Sequence, residues 1–167
     1  MPFTPLHLGP GILLKAILQG SFSLMVFGWA QIVMDIQPLY VIISNTRHLE
    51  LHGFSHTYLG ATLLAILSAL SGKYLSEFGL KLLGLSTINQ PIKIVWWIAF
   101  FSAFIGTYSH VVLDSIMHSD IQPYFPFADG NHLLDIIDSG LLHEFCIYSG
   151  LVGGVIYYIG QMITGKM

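Results

Sequence analysis

Residues 94–117 read IVWWIAFFSAFIGTYSHVVLDSIM, an apolar run that ends in a histidine and an aspartate. A helix spanning a bilayer needs about 20 predominantly apolar residues, and this run supplies them. Three further apolar stretches flank it, at Leu8–Met34, Thr57–Ser71 and Leu141–Ile163. The last is long enough to span. The second is short unless it begins near His52 or Phe54. Gln19-Gly20-Ser21 interrupts the first, and two readings are open. A single helix, at about 1.5 Å per residue, would hold His7 and Asp35 about 40 Å apart. Two short helices folded back at Gly20 would bring them to the same side. Lys15 is awkward in either case unless its ammonium snorkels.

Composition agrees with a membrane solvent. Of 167 residues, 54% are hydrophobic and only 9% charged. A soluble domain usually carries about 25% charged residues to cover its surface. The expected fold is therefore all-α: one integral membrane domain over residues 1–167, a polytopic helix bundle with about four spanning segments, the first a possible helical hairpin. A net charge of −3 with six Lys+Arg argues against a nucleic-acid partner. The lone Cys146 excludes an intramolecular disulfide and a thiolate zinc site, and reads as a small buried residue. The N-terminus lacks the positive region of a signal peptide, so the first apolar segment is expected to stay in the mature protein.

Charge also orients the chain. Residues 72–93 hold Lys73, Lys81 and Lys93, half of the basic residues, which predicts a cytoplasmic loop. Segments 35–56 and 118–140 then fall on the opposite side, periplasmic in a bacterial inner membrane. Tyr74, Leu75, Phe78, Leu82 and Leu85 recur near helical spacing and predict a short interfacial helix over 73–85.

Eight histidines are many for such a chain, and ionisable groups inside a membrane are costly. His110 and Asp114 stand at i, i+4, which puts both on one helix face and makes a two-ligand clip for zinc or a similar metal. A His–Asp ion pair inside the bundle is the alternative. His52-Gly-Phe-Ser-His56 repeats the spacing at the start of the second stretch, where Gly53 threatens the helix and Ser55 is a candidate cap. Asp35 closes the first stretch just before Pro38, and His7 precedes it. Taken singly, Asp35 reads equally as a membrane-edge residue and His7 as incidental. With the folded-back first segment, His7, Asp35, His52, His56, His110 and Asp114 all converge on one membrane face. Unrelated histidines have no reason to share a side. His118, Asp129, His132 and Asp135 lie near that face and are candidate supports for the ligating imidazoles; a solvated acidic loop is the plainer reading. The chain lacks HExxH, GxSxG and Walker motifs, and its single cysteine excludes the zinc-deaminase pattern.

The ordered set Phe3-Thr-Pro-Leu-His7 with Gly9, Asp35, His52-Gly-Phe-Ser-His56-Thr57, Ser109-His-Val-Val-Leu-Asp114 and Tyr124-Phe-Pro-Phe127 resembles the membrane-bound metal-dependent hydrolases, bacterial inner-membrane proteins. The resemblance covers roughly residues 1–130. Many members carry an HRGxTHS-like run; here the Arg is absent and His52 stands at its place. The order of ligands is also similar to that of zinc-dependent phospholipase C and P1-type nucleases. That likeness implies Asp114 bridging two metals, with His110, His56 and Asp35 on one and His7 on the other. The HxxxE pair of a third metal site is missing. The resemblance thus implies hydrolysis of a phosphoester or ester, with one or two divalent ions, expected to be zinc. Asp114 and Asp35 would act at the reacting centre, Asp35 as ligand or general base. Membrane lipid, or a small or lipid-like molecule reaching the site by lateral diffusion, is the expected substrate, and the chain leaves its oligomeric state open. Two other classes compete: a non-enzymatic metal-binding or metal-transporting membrane protein, and a structural or regulatory one.

Overall fold

A computed structural model describes residues 5–45, 51–87 and 91–164. Among these, five α-helices follow one another without a strand: α1 (Leu8–Leu18), α2 (Leu24–Ile43), α3 (Tyr58–Leu82), α4 (Trp96–Met117) and α5 (Ser139–Ile163). Helices α2 to α5 are each long and apolar enough to cross a membrane, which marks an integral membrane protein. Their outward faces carry large apolar side chains, among them Ile66, Leu70, Phe101, Leu151 and Ile159. Water would not tolerate so continuous a surface, whereas lipid does.

The first stretch is folded back. α1 has only 11 residues, too few to span, and gives way to a 3₁₀ turn at Gln19–Ser21. Lys15 makes that turn possible. Its ammonium donates to Gln19 O at 2.7 Å and Phe22 O at 2.8 Å, satisfying carbonyls left open where the helix stops. Ser23 then caps α2 by accepting from Val26 N, while its own N–H donates to Ser102 Oγ of α4 at 2.9 Å. His7, in a 3₁₀ turn at Pro5–His7, thereby shares a bundle end with the later turns of α2.

α1 lies along α5, and α2, α3 and α4 pack on one another. The α1–α5 crossing is a backbone contact. A Cβ on Gly9 would fall 1.9 Å from Cys146 O, and one on Gly153 would fall 2.5 Å from Leu13 N and Cα. Close approach through small residues is how membrane helices associate when lipid offers no hydrophobic gain. The α3–α4 seam uses alanine: Ala61, Ala65 and Ala69 of α3, Ala99 and Ala103 of α4, all fully buried. The buried face of α4 continues through Gly106 and Thr107 to His110 and Asp114 at i+3 and i+4 steps, so the seam that packs the bundle also buries these two ionisable groups.

The structure moves three expected boundaries. Asp35 does not end a helix: α2 runs on through Pro38 to Ile43. Proline costs a helix one hydrogen bond, but Pro38 and Val41 are buried here, and packing holds the last turns. α3 gains its length at its C-terminal end rather than at His52 or Phe54, and absorbs the interfacial helix expected over 73–85. Lys73 is no boundary because it pairs with Glu77 at i+4, and Glu77 also accepts Ile94 N at 2.8 Å. The α3 cap is Thr57, whose Oγ1 accepts Gly60 N at 2.9 Å, and not Ser55. Cys146 is buried, as its residue type suggested.

Candidate metal centre

Asp114 is the hub of a buried cluster at one end of the bundle. Its Oδ2 lies 3.0 Å from His110 Nε2 and 3.3 Å from His56 Nε2, and its Oδ1 lies 3.5 Å from His7 Nε2. His110 Nε2 is also 3.3 Å from Asp35 Oδ1. All five side chains are buried; His56 is 0% and His110 1% exposed. Asp35, His56, His110 and Asp114 offer ligand atoms within 4.8 Å of one another, a set that could hold a metal ion. His7 adjoins it, with its ring edge-on to His110 at 4.9 Å.

The contacts are close, but the Nε2 atoms of His7, His56 and His110 have no hydrogen-bond partner. Buried polar atoms seldom go unsatisfied. The spacing accounts for it. Ligands on one tetrahedral zinc, at about 2.0–2.1 Å from the ion, stand about 3.3 Å from one another. A nitrogen lone pair facing a carboxylate at that separation is repulsive unless a proton or a metal ion lies between. Two buried carboxylates, Asp35 and Asp114, also need positive charge, and isolated buried charge is expensive. His7 does not supply it: burial pushes its imidazole down to about 4, against the opposing pull of Asp114, so it is neutral near pH 7. Neutral imidazole is the form that binds metal.

The Nδ1 atoms of His110 and His56 are held from behind, whereas His7 Nδ1 is buried without a partner among the described residues. His110 Nδ1–H donates to Gln31 Oε1 at 2.6 Å, and the Gln31 amide donates onward to Gly106 O at 3.1 Å and Ser109 Oγ at 3.4 Å. A glutamine whose NH₂ faces a carbonyl must turn its oxygen to the histidine, which puts a hydrogen on His110 Nδ1 and aims Nε2 toward Asp114. Ser55 Oγ stands 2.9 Å from His56 Nδ1 and holds that ring in place, as donor or as acceptor. Ser55 is in turn fixed by its N–H donating to Gln37 Oε1 at 3.2 Å.

His52 leaves the expected set. Residues Phe54–His56 form a 3₁₀ turn, so His52 and His56 are not an i, i+4 pair on one helix. Instead His52 Nδ1 lies 3.0 Å from both Asp120 oxygens, and its ring stacks on His118 at 4.3 Å. These three form a second ligand-capable group beside the first, with the His52 and His56 rings 4.8 Å apart. Burial, then the neighbouring His56, lowers the His52 imidazole. Burial, then His52, lowers His118. Burial works to raise the Asp120 carboxyl, but the hydrogen bond and charge of His52 hold it below its usual range. A cavity of about 200 Å³ opens here, lined by His52, Gly53, Phe54, Thr57, Asp120, Gln122 and Phe125.

Asp129, His132 and Asp135 are exposed in the 118–138 connection and do not support the imidazoles; Asp135 N–H donates to Ile116 O. The supports are Gln31 and Ser55, neither of which was expected in that role. Gln31 carried a signal, an amide inside an apolar helix one turn before Asp35. Asp120 carried none beyond being one of several acids in its loop. No protein-family model, curated protein or solved structure matches the chain.

Proposed function

We propose that this protein is a metal-dependent hydrolase, holding a zinc-type divalent ion in the buried cluster and cleaving a phosphoester or ester at the membrane surface. The observation that carries the reading is the convergence of buried Nε2 atoms of His56 and His110, neither with a hydrogen-bond partner among the described residues, on Asp114 and Asp35. Asp35, His56, His110 and Asp114 are the ligands, and His7 completes the set from Asp114's other oxygen. A divalent ion bound there supplies Lewis acidity and lowers the pKa of water. The chain's own part is to orient two imidazoles through Gln31 and Ser55, and to exclude bulk water by burial. In the reaction, water adds to the scissile phosphorus or carbonyl carbon, and the alcohol leaves with a proton.

The surroundings favour a lipid-like substrate. An apolar groove of about 270 Å³, lined by Tyr58, Leu59, Thr62, Tyr108, Pro123, Tyr124, Phe125 and Phe127, shares Phe125 with the polar cavity. An ester with an acyl tail would put its head and tail in adjoining spaces. The lysine bias of residues 72–93 and the resemblance in motif order support a bacterial inner-membrane location with the site on the periplasmic side.

The test is metal analysis of the detergent-purified protein together with a panel of phosphoesters and carboxylic esters, including short-chain phospholipids. Chelator-sensitive hydrolysis, lost at least about 100-fold in Asp114→Asn and His110→Ala, is the expected result. Bound metal with no hydrolysis, and metal flux in liposomes, would instead identify a metal transporter. Both ligand groups adjoin at one end of the bundle, and no other lies deeper among the described residues, which favours the enzyme over a conduit. Metal-free protein, with His110→Ala folding normally, would mean a structural role.

A further inference from the structure

Beyond the buried centre, we propose that His52, His118 and Asp120 form a second, separate site for a first-row divalent transition metal, open to the cavity at the membrane surface. His52 and Asp120 alone could be a simple hydrogen-bonded pair. Three observations go further. His52 Nδ1 stands 3.0 Å from Asp120 Oδ1 and Oδ2, close to the spacing of two ligands on one ion, so an ion could enter between them with little movement. The second imidazole, His118, lies parallel to the first at 4.3 Å and 28°, and its ring nitrogens make no hydrogen bond among the described residues. A hydrogen-bonded pair has no use for it; a cation does. Thirdly, His52 is buried and Asp120 is exposed, and both line the cavity of about 200 Å³. Three protein ligands, two of them at a cavity wall, leave a coordination position open, the arrangement of an exchangeable rather than a structural ion.

The donor set selects the ion. Two imidazoles with one carboxylate suit zinc and its first-row neighbours, whereas calcium and magnesium want oxygen alone. The position relative to the first centre is set by His56, whose ring stands edge-on to His52 at 4.8 Å while its Nε2 faces Asp114. His52 therefore belongs to the outer site and His56 to the inner one. The two groups use different carboxylates, Asp120 and Asp114, so each can be emptied by its own substitution.

Zinc titration of the metal-stripped, full-length protein in detergent tests this, read as equivalents bound per chain. Asp120→Ala and His118→Ala should each lose one equivalent and keep those that depend on Asp114. Asp114→Ala should lose the inner metal and retain the outer equivalent. His118→Ala is decisive should Asp120→Ala fail to fold, because the half-buried His118 ring bonds to nothing else. Cobalt loading adds a spectroscopic check: wild type should show a visible absorption component that is absent from His118→Ala. Zinc stoichiometry and cobalt spectra identical in wild type, Asp120→Ala and His118→Ala would overturn the second site and leave His52–Asp120 as a hydrogen bond. The inner centre could still fail, or hydrolysis be absent, without touching this result, since it is read as metal bound in the Asp114→Ala background.

Discussion

Gln31 Oε1 accepts a hydrogen bond from His110 Nδ1 at 2.6 Å, joining α2 to α4 directly behind the candidate metal ligands. The same amide is held by Gly106 O, so neither group can turn without breaking the other's contacts. Outer partners of this kind typically set metal affinity by about 10–100-fold. Gln31→Leu should therefore weaken zinc binding by about that factor, while Gln31→Glu, which keeps an acceptor, should lose much less. Chelator competition gives the affinities. Equal loss in both variants would show that packing rather than the hydrogen bond matters.

Removing metal should loosen the fold. Asp35 and Asp114 are buried close together, and a bound divalent ion would compensate both carboxylates at once. An ion that binds only the folded state, present at 100 times its Kd, stabilises by about 2.7 kcal/mol. Chelation should lower the melting temperature in detergent, and added zinc should restore it in wild type but not in Asp114→Asn. A melting temperature indifferent to zinc in wild type would count against the cluster as a metal centre.

His7 predicts a pH dependence. Burial holds its folded-state value at about 4, below the ordinary 6.5. Between those values the unfolded chain binds a proton that the folded chain refuses, so stability falls as pH drops from about 6.5 to 4 and levels off below. Metal-free His7→Gln should show a shallower fall across that window than metal-free wild type. Parallel curves would mean that His7 is not buried neutral.

The α1–α5 crossing should tolerate no side chain at Gly9. A Cβ there would lie 1.9 Å from Cys146 O, and backbone cannot swing aside as a flexible side chain can. Overpacking typically costs about 1–3 kcal/mol. Gly9→Ala should lower the melting temperature and, because α1 carries His7, also weaken metal binding. Gly154→Ala, where a Cβ meets nothing within 4 Å, is the control and should behave as wild type.

The folded-back first segment can be checked by labelling. In a Cys146→Ser background, Ser21→Cys and Leu83→Cys should react from one side of the membrane and Ala128→Cys from the other. Ser21 labelling with Ala128 would exclude the hairpin.

The helical character and number of spans were legible because hydropathy alone sets them. Their ends were not. Asp35 and Lys73 look like membrane edges in the sequence, yet α2 and α3 pass through both: Asp35 turns into the buried cluster beside His110, and Lys73 pairs with Glu77 one turn away. The buried cluster of His56, His110, Asp114, Asp35 and His7 was legible as costly groups in apolar surroundings. The division of His52 from His56 was not, since it depends on a 3₁₀ turn and on where the chain after α4 carries Asp120. Gln31 is the residue a closer reading of α2 could have found, four positions before Asp35.

The single cysteine acquires a use from its position. Cys146 packs with Leu6, Leu113 and Leu142, directly beneath the turn that holds His7. Lifting Leu6 away would uncover one side of this thiol to a reagent. The native chain thus carries its own gauge of how often the amino-terminal arm comes undone, readable as an alkylation rate without any engineered probe.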